Sequence, residues 1–144
     1  MREILFRGKR IDNGEWVEGF YNHLPCGRFG ADEHMIQTVL ENGKIGMLHD
    51  IDPSTVGQFT GLKDKNGKRI FEGDILKRYY DDLYADDAVI EHVVWFNNGW
   101  CAKYVTNMTY EAYSIFKGDV IPYAEIIGNI HDNPELLDGE DDKV

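Results

Sequence analysis

What is scarce in this chain narrows it first. Cysteine occurs twice in 144 residues, at Cys26 and Cys101, with no CxxC pair. A disulfide framework is excluded, and reduced thiols in a cytosolic compartment are expected. Serine is equally thin: Ser54 and Ser114 are the two, and neither sits in a Gly-x-Ser-x-Gly elbow. No apolar run approaches the ~20 residues that a membrane helix needs. The opening Met1-Arg2-Glu3-Ile4-Leu5-Phe6-Arg7 puts charges where the apolar core of a signal peptide would lie. A cytoplasmic protein without membrane contact is the expectation. Basic residues are scarce in the second half. Residues 1–72 carry 10 basic and 11 acidic groups, whereas residues 73–144 carry 5 and 15. The net charge of −11 therefore falls almost wholly on the second half. Such a surface repels phosphate backbones at long range, which disfavours general nucleic-acid binding.

What is present is a packed globule. The length predicts one domain or two small lobes, able to bury roughly 70 % of the unfolded surface without a staple. The pattern is short extended runs cut by Gly and Asn corners. Residues 3–9 and 15–22 read as a hairpin around Asp12-Asn13-Gly14. Residues 34–40 and 45–49 read as a second pair around Glu41-Asn42-Gly43-Lys44. Asp52-Pro53-Ser54-Thr55 breaks the run and suggests one helical turn. Asp64-Lys65-Asn66-Gly67-Lys68 is the strongest hairpin signal, followed by a tight Glu72-Gly73-Asp74 turn and a strand over 75–80. Residues 88–96 are apolar on both faces and predict a central strand. Asn97-Asn98-Gly99 then turns the chain into residues 100–106. Tyr110, Tyr113 and Phe116 leave helix and strand both open over 107–118. Residues 125–130 predict a last strand, and Asn133-Pro134-Glu135-Leu136-Leu137 a one-turn helix capped by Asn133. Strands at this spacing predict an all-β fold. One domain spans 1–137, with an N-terminal β lobe over 1–56 and an SH3-like β lobe over 57–137. An acidic tail follows at 138–144.

The motifs for chemistry are weak. Gly61 to Arg69 has five residues between its glycines where a phosphate loop needs four, and Arg69 stands where a hydroxyl would hold magnesium. His23, His34, His49, His92 and His131 show no zinc-motif spacing. Cys26 lies three residues from His23, but no orienting third group is evident in the sequence. The reading is no catalytic residue, no cofactor and no metal. Asp81, Asp82, Asp86 and Asp87 form an acidic surface better suited to a solvated loop than to a cation. Arg7, Lys9 and Arg10, and then Lys63, Lys65, Lys68 and Arg69, are basic clusters that suit solvated hairpins. Trp16, Trp95, Trp100 and Tyr104 offer an interaction surface, although core packing accounts for much of that set. Trp95 and Phe96 face opposite sides of a strand, so one is expected to pack under a neighbouring lobe.

The run from Gly57 to Leu76, Gly-Gln-Phe-Thr-Gly-Leu-Lys-Asp-Lys-Asn-Gly-Lys-Arg-Ile-Phe-Glu-Gly-Asp-Ile-Leu, resembles the hallmark of the YopX protein family. The opening Arg2 to Gly8 and the close Ile126 to Leu137 resemble that family's two ends. Residues 23–50 and the insertion at 81–87 do not match. The resemblance implies a small β protein carried by bacteriophages and prophages, in a bacterial host cytosol, with no established activity. Turn chemistry explains the hallmark: Asp64 to Gly67, with Asn66 inside it, demands a hairpin, Gly61 and Gly73 permit unusual dihedrals, and Asp74 can bond backbone amides in the tight turn. The leading expectation is a non-catalytic binding or accessory module acting by protein–protein contact, as a homo-oligomer. The alternatives are an acidic mimic of nucleic acid that inhibits a host protein, a nucleic-acid-binding module, and a metal-dependent enzyme.

Overall fold

The computed structural model describes residues 2–79, 88–104, 113–115 and 123–138. Regular structure among them is strand throughout, apart from one short 3-10 turn, so the class is all-β. No helix among these residues is long and apolar enough to cross a membrane. The chain divides into two compact units, Met1–Phe59 and Thr60–Val144.

The first unit contains β1 (Phe6–Arg10), β2 (Trp16–Leu24), β3 (Glu33–Val39) and most of β4 (Ile45–Lys63). Each strand pairs antiparallel with the next, and β1 also pairs with β4. The sheet thus closes on itself, which satisfies backbone groups that an edge would leave open. Leu5, Met35, Ile36, Ile51 and Phe59 are its buried apolar side chains. Asn13 and Asn42 act as turn acceptors, each taking the N–H two residues ahead at 2.9 Å.

One expectation fails here. Asp52-Pro53-Ser54-Thr55 does not form a helical turn, because β4 runs straight through it. The local chemistry is nonetheless that of a turn. Asp52 Oδ1 accepts from the Ser54 N–H at 3.0 Å, and the Thr55 hydroxyl donates to the Asp52 carbonyl at 2.6 Å. The same Thr55 hydroxyl accepts from the Lys9 N–H at 2.8 Å. Register along β1 jumps from Arg7↔Gly57 to Lys9↔Asp52. The extra residues are absorbed as a bulge, where a proline costs no ladder hydrogen bond.

The second unit begins where the end of β4 pairs with β5 (Arg69–Phe71). β6 (Asp74–Arg78), β7 (Val89–Phe96), β8 (Gly99–Tyr104) and β9 (Tyr113–Ile115) follow as a meander, and β10 (Ala124–Asn129) returns beside β6. β7 lies between β6 and β8, as its two apolar faces predict. Asn97 and Asn98 have φ of 49° and 64°, the paired positive values of a tight hairpin turn that twists with its strands. Ile70, Leu76, Val93 and Ala124 are the core, with Leu62, Trp100 and Ile126 packed against it. Glu91 is fully buried, with Arg78 Nη2 3.0 Å from its carboxylate. Of the ambiguous segment 107–118, residues 113–115 are strand, and Tyr110 and Phe116 lie outside the described residues. The 3-10 turn spans Pro134–Leu137 with Asn133 at its N-cap position, but the Asn133 side chain makes no capping hydrogen bond. It turns back instead to accept from the Asn129 N–H at 3.3 Å.

Candidate functional site

The hallmark run builds a clasp in the second unit. Gly61, Gly67 and Gly73 have φ of 86°, 79° and 87°. Asp64 is 1 % exposed, and its two oxygens do different work. Oδ1 accepts from the N–H groups of Asn66 and Lys68, both at 2.9 Å, which fixes the hairpin. Oδ2 accepts from the Ile126 N–H at 3.1 Å, 62 positions along the chain. A backbone bond from Lys65 to the Ala124 carbonyl, 2.9 Å, runs beside it. The β4–β5 hairpin is thereby tied to β10. Asn66 contributes its backbone to this turn. Asp74, also 1 % exposed, accepts from the Phe71 N–H at 2.8 Å. Gly73 bonds to both sides, its N–H to the Val93 carbonyl and its carbonyl to the Ile130 N–H. A Cβ at Gly73 would lie 3.4 Å from Ile130 Cγ1. These hydrogen bonds of Asp64, Gly73 and Asp74 all run to backbone groups.

The four aromatics divide between the two units, Trp16 in the first and Trp95, Trp100 and Tyr104 in the second. Trp95 and Trp100 are directly opposite on β7 and β8, edge to face at 4.8 Å between centroids. Trp100 leans on the core, while Trp95 is mostly exposed. Trp16 belongs to the first unit, where the Arg7 guanidinium lies 4.8 Å from its ring. Tyr104 closes β8 in register with Glu91, and its side chain lies outside the described residues. Trp95 and Phe96 are both exposed. The end of β7 beside the Asn97-Asn98 turn carries them into solvent. Asp81, Asp82, Asp86 and Asp87 fall outside the described residues, as does the tail beyond Asp138.

Each basic cluster has a side chain engaged locally, Arg10 in one and Lys65 in the other. Arg10 makes a forked pair with Asp12, with Nε to Oδ1 at 2.9 Å. That hydrogen bonding lowers the Asp12 carboxyl and raises the Arg10 guanidinium from their ordinary values. Both groups are open to water, so the pair adds little stability. Lys65 reaches Glu125 at 3.5 Å and lies over the Tyr79 ring. Cys101 is buried, its thiol 3.7 Å from the Phe96 carbonyl, and Cys26 is exposed.

The first unit carries two features that sequence spacing does not announce. One is a groove of about 780 Å³ lined by residues including Ile11, Phe29, Met47 and Leu48. These four apolar side chains are exposed, Phe29 at 90 % and Met47 at 72 %. Arg10, Arg28, Asp32 and Asp50 also line it, so its walls carry both signs of charge.

The other feature is a pair of facing histidines. His23 and His34 are cross-strand partners on β2 and β3. Their rings stack at 4.3 Å between centroids and 8° between planes. Asp32 adds a carboxylate oxygen 3.5 Å from His23 Nε2. Ligand-type atoms of all three lie within 4.8 Å of one another. Tyr21 stands behind, its hydroxyl 2.5 Å from His34 Nδ1. Burial raises the Tyr21 phenol above its ordinary value. His23 thus meets Asp32 and His34, partners that its nearness to Cys26 in sequence does not suggest. The missed signal was register. Eleven positions separate the two imidazoles, and only strand pairing sets them opposite.

The model of the YopX protein family matches residues 5–138, a span that takes in residues 23–50 and 81–87, where no likeness was expected. No curated protein matches the chain. Among solved structures, the crystal structure of protein EF1440 from Enterococcus faecalis is similar at 24 % identity and a TM-score of 0.57. The alignment covers 95 % of this chain and 99 % of that one. At that identity the likeness concerns the fold.

Proposed function

The chain belongs to the YopX protein family, and from that premise we propose that it is a phage- or prophage-encoded accessory protein working by protein contact rather than catalysis. The observation that carries this reading is the groove of the first unit, with Ile11, Phe29, Met47 and Leu48 exposed around it. Side chains of that size left in water together mark an association surface. The occupant is a second copy of the chain. Two facts favour it. The first unit has six basic and nine acidic residues, a net of −3, against nine and seventeen in the second, so self-repulsion is weakest there. The groove also carries both signs of charge, and a two-fold pair sets each sign against the other. The SH3-like reading of the second unit rests on its strand order, a meander with the last strand returned beside the first. The setting is the cytoplasm of a bacterial host.

Sedimentation velocity on the full chain tests this. The wild type should sediment as a dimer, and the double variant Phe29→Ser, Met47→Ser as a monomer with an unchanged circular dichroism spectrum. A wild type that stays monomeric as its concentration rises overturns the second-copy reading.

A further inference from the structure

We propose that His23, Asp32 and His34 form a binding site for one late first-row divalent cation of the zinc type. Asp32 and His34 also line the groove, but the proposal rests on their donor atoms and not on self-association. Two imidazoles and one carboxylate are a recognised ligand set for such ions. The set discriminates by softness as well: calcium and magnesium take oxygen donors, and two of the three donors here are nitrogen.

The geometry is close to what a cation needs. In a tetrahedral site with bonds of about 2.0–2.1 Å, ligand atoms lie about 3.4 Å apart. His23 Nε2 and Asp32 Oδ2 are already at 3.5 Å. The full set lies within 4.8 Å, and His23 and Asp32 are exposed, so rotation of their side chains closes the remainder. The His pair is held by backbone register, since His23↔His34 is one rung of six between β2 and β3. Ligands fixed by a ladder are pre-positioned, which lowers the ordering cost of binding.

Tyr21 supplies the supporting contact. A histidine that ligates through one ring nitrogen usually donates the other N–H to an oxygen, which fixes its tautomer. The Tyr21 hydroxyl is placed at His34 Nδ1 to accept that proton, leaving Nε2 with its lone pair for the ion. Tyr21 is itself backed by the Phe6 ring at 5.5 Å. Three protein ligands leave a fourth position for water.

The location gives the site a consequence. His23 lies near the end of β2, His34 near the start of β3, and Asp32 at the end of the loop between them. A cation there staples the base of the loop 25–32, the segment that carries Phe29. In sequence terms the motif is His-x8-Asp-x-His across a hairpin, which matches none of the short-spaced zinc patterns.

The test uses the tag-free full chain, stripped with a chelator and titrated calorimetrically with zinc chloride. A parallel titration with cobalt(II) reads the coordination sphere by its visible absorption. One zinc per chain is expected. His23→Ala and His34→Ala should each weaken binding by more than the roughly 10–100-fold expected of Tyr21→Phe. Asp32→Asn lies on an exposed loop and tests the site without threatening the fold. It should weaken binding and shift the cobalt spectrum, while Cys26→Ser should change neither. Absence of zinc uptake by the wild type overturns the proposal. Undiminished uptake in Asp32→Asn and both alanine variants does so as well, and so does loss of binding in Cys26→Ser with a thiolate signature in the cobalt spectrum.

Discussion

Replacing Asp64 should weaken the second unit more than any exposed substitution, in a pattern set by which oxygen is lost. A hydrogen bond to a charged acceptor contributes about 1.5–3 kcal/mol. Asp64 accepts three. In Asp64→Ala, the amides of exposed Asn66 and Lys68 recover water, so each costs about 1 kcal/mol, while the half-buried Ile126 amide costs about 1–3 kcal/mol. The sum is about 3–5 kcal/mol. In Asp64→Asn, the amide oxygen still serves Asn66 and Lys68, but the NH₂ faces the Ile126 N–H, donor against donor. That change should cost about 2–3 kcal/mol. With a urea slope of about 2 kcal/mol/M, the midpoint falls by about 1.5–2.5 M for alanine and 1–1.5 M for asparagine. Urea unfolding followed by the fluorescence of Trp95 and Trp100 measures this. Amide hydrogen exchange adds a local reading, because Ile126 should lose protection in both variants while Asn66 and Lys68 lose it only in alanine. A midpoint unmoved in Asp64→Ala, or Ile126 protection unchanged in Asp64→Asn, refutes the reasoning.

Two further outcomes follow from single residues. Gly73→Ala forces an L side chain into φ +87° against Ile130, and should cost about 1–3 kcal/mol, seen as a melting point several degrees lower; an unchanged melting point contradicts the strained-turn account. Burial raises the Tyr21 phenol above 10, so the unfolded chain releases that proton first. Its contribution is complete below about pH 10 and declines as pH climbs toward the folded value. Comparing phenolate absorption of wild type and Tyr21→Phe isolates this group, and an early-ionising phenol would count against it.

The fold was legible where turns are short and chemically explicit. Asn97-Asn98, Asn13-Gly14 and Asp64 to Gly67 each dictate a corner through residues that tolerate positive φ or bond their own backbone, and the strands follow. Pro53 misled because Asx-turn chemistry at Asp52 reads the same in a helix start and in a bulge; only pairing with β1 distinguishes them. The aromatics were half legible. Trp100 follows the core as a packing reading suggests, whereas the exposure of Trp95 and Phe96 depends on where β7 stops. The facing histidines were not legible at all. Their meeting depends on the register of β2 against β3, which a long loop leaves undetermined in the sequence.

Polypeptides are usually divisible at exposed, weakly bonded connectors. Here the boundary between Phe59 and Thr60 falls inside the 19-residue strand β4. On one side, the Phe59 N–H donates to the Leu5 carbonyl at 2.8 Å. On the other, the Thr60 hydroxyl donates to the Ile70 carbonyl at 2.8 Å and accepts from the Leu62 N–H. A break there would leave each of these bonds within its own unit, yet it would turn the middle of one strand into two new chain ends, the places where backbone frays first.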